Sequence, residues 1–243
     1  MPLDLIRPDW PAPRNVHALS TTRAGGVSPG PYASLNLGEH VGDDPQAVAA
    51  NRAQLQHSLG RAMPRWLQQV HGVRVAQDGD VTHAPADAAV TSRHDVACSI
   101  MTADCLPVIF CDRAGAKVGA AHAGWRGLSA GVLEATLRSM GAAPEDVLAW
   151  MGPAIGPEAY EVGDEVRQTF VAHSAEAAGA FVPGKAPGKW WCDLYMLARQ
   201  RLEAAGVESI YGGGFCTFTD KERFFSFRRD GQCGRMATLI WLE

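Results

Sequence analysis

No stretch of this sequence approaches the ~20 consecutive apolar residues of a membrane-spanning helix. The longest apolar runs, such as Leu106 to Cys111, have the length of a buried strand, so no membrane partner is expected. A surplus of positive charge is also missing. Lys and Arg number 22 against 26 Asp and Glu, for a formal net charge of -4, and the two signs are interleaved. That leaves no basic face for a phosphate backbone and argues against nucleic-acid binding. The six cysteines (Cys98, Cys105, Cys111, Cys192, Cys216, Cys233) contain no C-x-x-C pair. Free thiols in a reducing compartment follow, most of them packing residues. The first ten residues, MPLDLIRPDW, carry acids and prolines where an export signal needs a basic and then an apolar stretch, which predicts a cytoplasmic protein. Walker loop, H-E-x-x-H and EF-hand spacings are absent, and GGGF at 212–215 lacks dinucleotide-fingerprint spacing. There is no repeat period and no low-complexity tract.

What is present is an ordinary globular composition: 243 residues, 47% hydrophobic, 20% charged, with 26 Gly and 15 Pro. A chain of this length buries well over half of its unfolded surface and needs no metal as a staple, so any metal here serves chemistry. We read residues 1–243 as one domain. A first helix follows Asp43 and Asp44, with Pro45 in its first turn, Val48, Leu55 and Leu59 on one side and Gly60 at its end. Further helices are expected over 129–140, 164–173 and 193–205. Strands are expected over 66–70, 87–91, 96–101, 107–111, 117–121, 224–227 and 238–242, with 174–190 a loose surface segment. Strand clusters broken by single helices predict an α+β fold, with mixed, sandwich-like sheets and helices packed outside.

Gly127-Leu128-Ser129-Ala130-Gly131 matches G-x-S-x-G, the nucleophile elbow. The strand before it is expected to end near Ala121, with HAGWRG intervening, so Ser129 reads instead as a helix cap. The informative segments are LQQVHG, TADCLPV and AAHAGWRG, each placing a metal-capable side chain at the end of an apolar strand: His71, Cys105 and His122. Gly72, Gly124 and Gly127 permit close backbone approach, and Asp104 adjoins the thiol. Each residue also has a plain structural reading, as a turn histidine, a small core thiol and a hydrogen-bonded core histidine. If they converge, two imidazoles and one thiolate make a zinc triad that leaves a fourth position for water or substrate.

These three motifs, together with TTRAGGVSPGPYASLNLGEHVGD, IGPEAYEVGDEV and FFSFRRDGQCGRMATLIWL, resemble the laccase-domain family from about Thr22 to Leu242. That family is also called multicopper polyphenol oxidase, purine nucleoside phosphorylase or peptidoglycan editing factor. The resemblance implies an α+β domain similar to the catalytic domain of the cytotoxic necrotizing factor toxins. It implies one zinc per chain held by His71, Cys105 and His122; by donor chemistry, added Cu(II) would compete for the same site. It further implies phosphorolysis of adenosine, inosine, guanosine and methylthioadenosine, together with adenosine deamination.

For the remaining substrate contacts, Arg126, close to His122, is a candidate phosphate partner, and Arg228 and Arg229 are others. The alternative for each is a surface or carboxylate-paired arginine. Asp104 is a candidate to hold a ligand imidazole or act as general base, or else a turn-capping carboxylate. Asn36 is a candidate ribose or base contact, or else bonds its own backbone. Trp125 and Phe224 to Phe227 offer a stacking face, or else are core aromatics. The zinc deaminase signature H-x-E with P-C-x-x-C is absent, so deamination would use another constellation. Among rivals, a multicopper oxidase is disfavoured because the eight histidines (His17, His40, His57, His71, His83, His94, His122, His173) include no H-x-H, although two His and a Cys are also blue-copper ligands. A metal-free cysteine hydrolase would use Cys105 as nucleophile and His122 as base, acting on cell-wall peptide precursors. An editing role in cell-wall synthesis is the third. No heptad or long apolar edge is visible, so a monomer is expected.

Overall fold

The computed structural model describes residues 3–80 and 85–243; His83 lies outside them. Its strands are β1 (Leu5–Ile6), β2 (Val16–Thr21), β3 (Met63–Arg65), β4 (Val75–Ala76), β5 (Ala88–Thr91), β6 (Val96–Thr102), β7 (Leu106–Asp112), β8 (Val118–Ala123), β9 (Val147–Met151), β10 (Glu161–Gly163), β11 (Phe181–Pro183), β12 (Lys189–Cys192), β13 (Ser209–Gly212) and β14 (Met236–Leu242). Its helices are α1 (Pro45–Gln56), α2 (Trp125–Ala130), α3 (Val132–Met140), α4 (Asp164–His173), α5 (Leu194–Ala204) and α6 (Phe227–Asp230). Local chemistry fixes several starts. Asp44 accepts from the Gln46 N–H ahead of α1, Asp193 from Met196 N–H ahead of α5, and Ser226 from Arg229 N–H ahead of α6.

Two mixed sheets form a sandwich, the first in the order β1-β2-β14-β6-β3 and the second β13-β9-β7-β8-β5-β4. Most neighbours are antiparallel, whereas β3 with β6, β4 with β5 and β13 with β9 run parallel. Period-two alternation assigns the faces. Ala18, Cys98, Ile100 and Ile240 of the first sheet pack against Ile109, Cys111, Ala120 and Leu148 of the second. On the opposite face of the first sheet, Leu19, Ala97 and Leu239 meet Leu55 and Leu59 at the α1 end. On the outer face of the second, Val108, Phe110 and Ala121 meet Leu133 and Leu137 of α3 and Leu197 of α5. Central strands covered on both faces carry continuous apolar runs rather than alternation, and that is why they are readable from sequence. The α+β sandwich with outer helices is the architecture expected.

Four local expectations are corrected. The strand expected over 66–70 is instead β3, and 66–70 leaves the first sheet to cross toward the second, pinned where the Gln69 amide exchanges two hydrogen bonds of 2.8 Å with the Met101 backbone. The aromatic run 224–227 is not a strand: Phe224 and Phe225 are completely buried in a turn that Arg229 ties down through the Phe224 carbonyl. The segment 174–190 is not loose, because Ala177, Ala180 and Phe181 pack on the outer core and β11 and β12 pair with β10 in a small third sheet. Ser129 is not a cap: α2 begins at Trp125 directly after β8, with Gly124 at the turn, and the Ser129 hydroxyl donates to the Arg126 carbonyl.

Candidate metal centre

Strand register brings the three ligands together. In the β7–β8 hairpin Leu106 stands opposite Ala123 and Pro107 opposite His122, so Cys105, one residue ahead of β7, falls beside the end of β8. On the other side of β8 runs β5, with Ala88 opposite Ala121, and Asp87 lies one residue before it. The His122 N–H donates to the Asp87 carbonyl at 2.7 Å. The completely buried Asp87 carboxylate then gathers the third ligand. It accepts from His122 Nδ1 at 2.9 Å and from the backbone N–H groups of Val70, His71 and Gly72 at 3.2, 2.9 and 2.6 Å. One side chain therefore orients an imidazole and clamps the loop that carries the other, the usual support for a metal-bound histidine. With Nδ1 occupied, His122 presents Nε2.

The ligand atoms of His71, Cys105 and His122 all lie within 4.8 Å of one another, the one such group of three among the described residues. Cys105 Sγ is 3.9 Å from His71 Nε2, and the two imidazoles meet edge to face at 4.7 Å between centroids. A tetrahedral zinc would hold such atoms about 3.3–3.6 Å apart, so small side-chain adjustments suffice and the residues fit the metal. Two glycines make the approach possible. A Cβ on Gly124 would come within 3.0 Å of both Cys105 Sγ and His71 Cδ2, and one on Gly127 within 2.9 Å of the Gly72 carbonyl. Gly72 itself faces no such crowding. His71 (φ 60) and Asp104 (φ 89) both occupy the left-handed region, which is unfavourable for side-chain-bearing residues and recurs at functional sites.

Charge is arranged to favour a thiolate. Burial pushes the Cys105 thiol up, but His122 and His71 more than offset it and draw it down to about 6. Burial pushes His122 down, and Cys105 and Asp87 together raise it to about 9. Burial likewise opposes ionisation of Asp87, yet its bonds to His122 and the Gly72 N–H keep it below the usual carboxylate range.

The triad lines a cleft of about 640 Å³ whose other walls include His40, Arg52, Gln68, Phe227 and Arg235. Arg52 bonds Glu39 at 2.6 Å and the Leu37 carbonyl, and lies 4.4 Å over Trp66. Arg235 donates through Nη1 to the Cys233 and Gly234 carbonyls, leaving Nη2 without a hydrogen-bond partner among the described residues. Burial, with Arg235 and Arg52 nearby, pushes His40 below its ordinary value.

Other expected contacts sit elsewhere. Asn36 is completely buried, with its amide bonded to Gly38, Asp43 and the Arg235 N–H, the backbone-bonding alternative, and it is not among the residues lining the cleft. The Asp104 carboxylate is spent on the Thr217 hydroxyl and the Arg228 N–H, both at 2.6 Å; the histidine-holding role belongs to Asp87. Arg126 is exposed over Trp125 at 4.5 Å and does not line the cleft. Arg228 covers Tyr160 and bonds the Glu161 carbonyl, and Arg229 pairs with Asp230. The sequence reading missed Asp87, Arg52 and Arg235. Only Asp87 left a trace, as an acid directly ahead of an apolar strand.

An α+β sandwich with a two-imidazole, one-thiolate centre at a strand-end rim, opening on a small-molecule cleft, defines a candidate metalloprotein class. This chain belongs to the family described as multi-copper polyphenol oxidoreductase laccase, which it matches over residues 17–243. It is 57% identical over 238 residues to a purine nucleoside phosphorylase of Pseudomonas aeruginosa, covering 98% of each chain. It is 53% identical over 242 residues to the purine nucleoside phosphorylase YfiH of Escherichia coli K12, again covering 98% of each. The crystal structure of a Neisseria meningitidis protein superposes with a TM-score of 0.95 at 51% identity, covering 98% of this chain and 99% of that one. No helix among the described residues is long and apolar enough to cross a membrane.

Proposed function

We propose that this chain is a metal-dependent purine nucleoside phosphorylase, with zinc held by His71, Cys105 and His122, and with adenosine deamination as a second reaction of the same cleft. The observation that carries the reading is the shared cleft: an Asp87-clamped triad and the Arg52, His40 and Arg235 group line one space of about 640 Å³. That volume lies within the range of small-molecule sites. The names of the relatives support the same chemistry.

In phosphorolysis a phosphate oxygen bonds to ribose C1′ while the bond from C1′ to the base nitrogen breaks. The electron pair leaves with the base, which takes up a proton, and ribose-1-phosphate is the other product. In deamination a water oxygen bonds to C6 of adenine and ammonia departs. A bound zinc would supply Lewis acidity toward a phosphate or water oxygen. The chain's own contribution is positional. Arg235, whose Nη2 has no hydrogen-bond partner among the described residues, takes the phosphate, and Arg52, paired with Glu39, adds positive charge to the same wall, in place of the candidates Arg126, Arg228 and Arg229. His40, kept neutral by burial and its cationic neighbours, can donate and accept a hydrogen bond at the same wall. Asp87 holds His122 so that Nε2 faces the ligand space.

The deciding assay is zinc-replete protein with adenosine, with and without phosphate. Adenine and ribose-1-phosphate should form only with phosphate, and inosine in both cases. Arg235→Ala should raise KM for phosphate at least about tenfold, the loss of a charged hydrogen bond, with a smaller effect on adenosine. Absence of purine nucleoside turnover under both conditions would refute the reading. One rival has an observation behind it: the lowered Cys105 thiol beside the raised His122 is also a nucleophile–base pair for hydrolysis, the chemistry an editing step on peptide precursors would need. Thiol alkylation without sensitivity to chelation would favour that pair. Oxygen consumption with phenols after copper loading would favour the oxidase.

A further inference from the structure

The cleft does not end at the metal. Past His40, Phe227 and Arg235, which line both spaces, it continues into a second lobe of about 370 Å³ walled by Val41, Gly231 and Gln232. At this junction stands an exposed aromatic ring. Phe227 is 59% exposed, although Phe224, Phe225 and Ser226 immediately before it are completely buried. Apolar rings are driven inward unless something holds them out, and here the backbone on both sides is anchored. Ser226 caps α6 through Arg229 N–H, and the Asp104 carboxylate accepts from Arg228 N–H at 2.6 Å. Phe227 is the only Phe, Tyr or Trp lining the main cleft among the described residues, and the Arg235 guanidinium lies 5.9 Å from its ring centroid.

We infer that Phe227 is the platform on which the flat heterocycle of the substrate stacks, making it a specificity-determining residue for planar bases; this rests on the nucleoside reading above. An exposed ring on a backbone anchored at both sides, in the wall of a cleft that holds no other aromatic side chain among the described residues, offers a nucleoside something that neither ribose nor phosphate uses, a π-face for its base. Elsewhere in the wall, Arg52, Gln68 and Arg235 suit the polar parts of the same ligand. The platform is also tied to the metal side: Asp104, which bonds the residue after Phe227, directly precedes Cys105. Asp104 is thus a positioning residue that fixes the distance between ring and thiolate. The second lobe leaves room beyond the ring for a base substituent or a longer 5′ group.

The test compares Phe227→Leu, which keeps an apolar side chain but loses the plane, with Phe227→Trp, which keeps the plane. With saturating phosphate, the Leu variant should raise KM for adenosine about 10- to 100-fold, as loss of one base stack does, and Trp should restore it. The KM for phosphate and the zinc content should stay within about twofold in both, since neither depends on stacking. In the Trp variant, adenine alone should quench the added indole emission, read against the parent protein, while ribose or inorganic phosphate should not. An unchanged adenosine KM in the Leu variant, or emission indifferent to adenine, overturns the platform. The quenching titration needs no turnover, so a parent without phosphorolysis would refute the nucleoside reaction and leave the ring's preference separately measurable.

Discussion

Replacing Asp87 by Asn removes the charge from a completely buried carboxylate that accepts four hydrogen bonds, three from the backbone of residues 70–72 and one from His122 Nδ1. The amide oxygen of Asn can keep about two of these. Its NH2 group then faces the other donors, and each donor left without an acceptor costs about 1–3 kcal/mol. Val70 and His71 are exposed, so water reaches part of this loop and the lower half of that range applies, a loss of about 2–4 kcal/mol for two donors. For a chain of this length that is a fall in Tm of about 4–16 °C, measured on metal-stripped protein to isolate the clamp. Metal binding should suffer separately, because His122 loses the partner that fixes its tautomer and the His71 loop loses its tether. Affinity should drop about 10- to 100-fold, read by chelator competition with elemental analysis, against an expected one zinc per chain in the parent. An Asp87→Asn protein that keeps parental Tm and parental zinc affinity would refute the assignment of Asp87 as the organiser of the centre.

Gly124→Ala should separate folding from metal binding. The backbone there (φ -63) accepts Ala without strain, but the new Cβ would sit 3.0 Å from Cys105 Sγ and His71 Cδ2, so zinc affinity should fall about tenfold or more while metal-free Tm changes little. Zinc affinity should also rise with pH. Between about 6 and about 9 the Cys105 thiolate is formed while His122 still carries its proton, so one proton must leave on binding. The apparent log association constant should then climb about one unit per pH unit in a competition titration, and a flat profile would refute the pairing. In the metal-free protein the lowered thiol contributes stability that is lost as pH falls through about 6, and the raised imidazole contributes stability that is lost as pH rises through about 9. The two trends largely cancel, because over most of that window the folded and unfolded chains each keep one of the pair's two protons, so the Tm of the metal-free parent should stay nearly flat between about pH 7 and about pH 9, and a steep slope there would refute the pairing.

Two kinds of feature were legible in the sequence because their causes are local. Strands such as β6, β7 and β8 announce themselves as unbroken apolar runs, since each is covered on both faces, and α1 shows its cap, first-turn proline and apolar side within sixteen residues. Cys105 and His122 stood out for the same reason, as metal-capable side chains at the ends of such runs, whereas His71 follows 66–70, a segment that is not a strand in the fold. What surrounds them was decided by tertiary structure. Arg126 and Arg228 are near ligand or motif positions in the chain, yet α2 and α6 carry them away from the cleft wall. Arg52 and Arg235 reach it from α1 and from the residue before β14, elements that meet only because α1 packs on the first sheet. Asp87 could not be told from an ordinary turn acid, because its role exists only once β5 pairs with β8 and the 70–72 loop folds over it. The run 224–227 misled for a related reason. Its aromatics are buried by arginine-tied turns rather than by a strand ladder, and a short apolar pattern carries burial but not the partner that provides it.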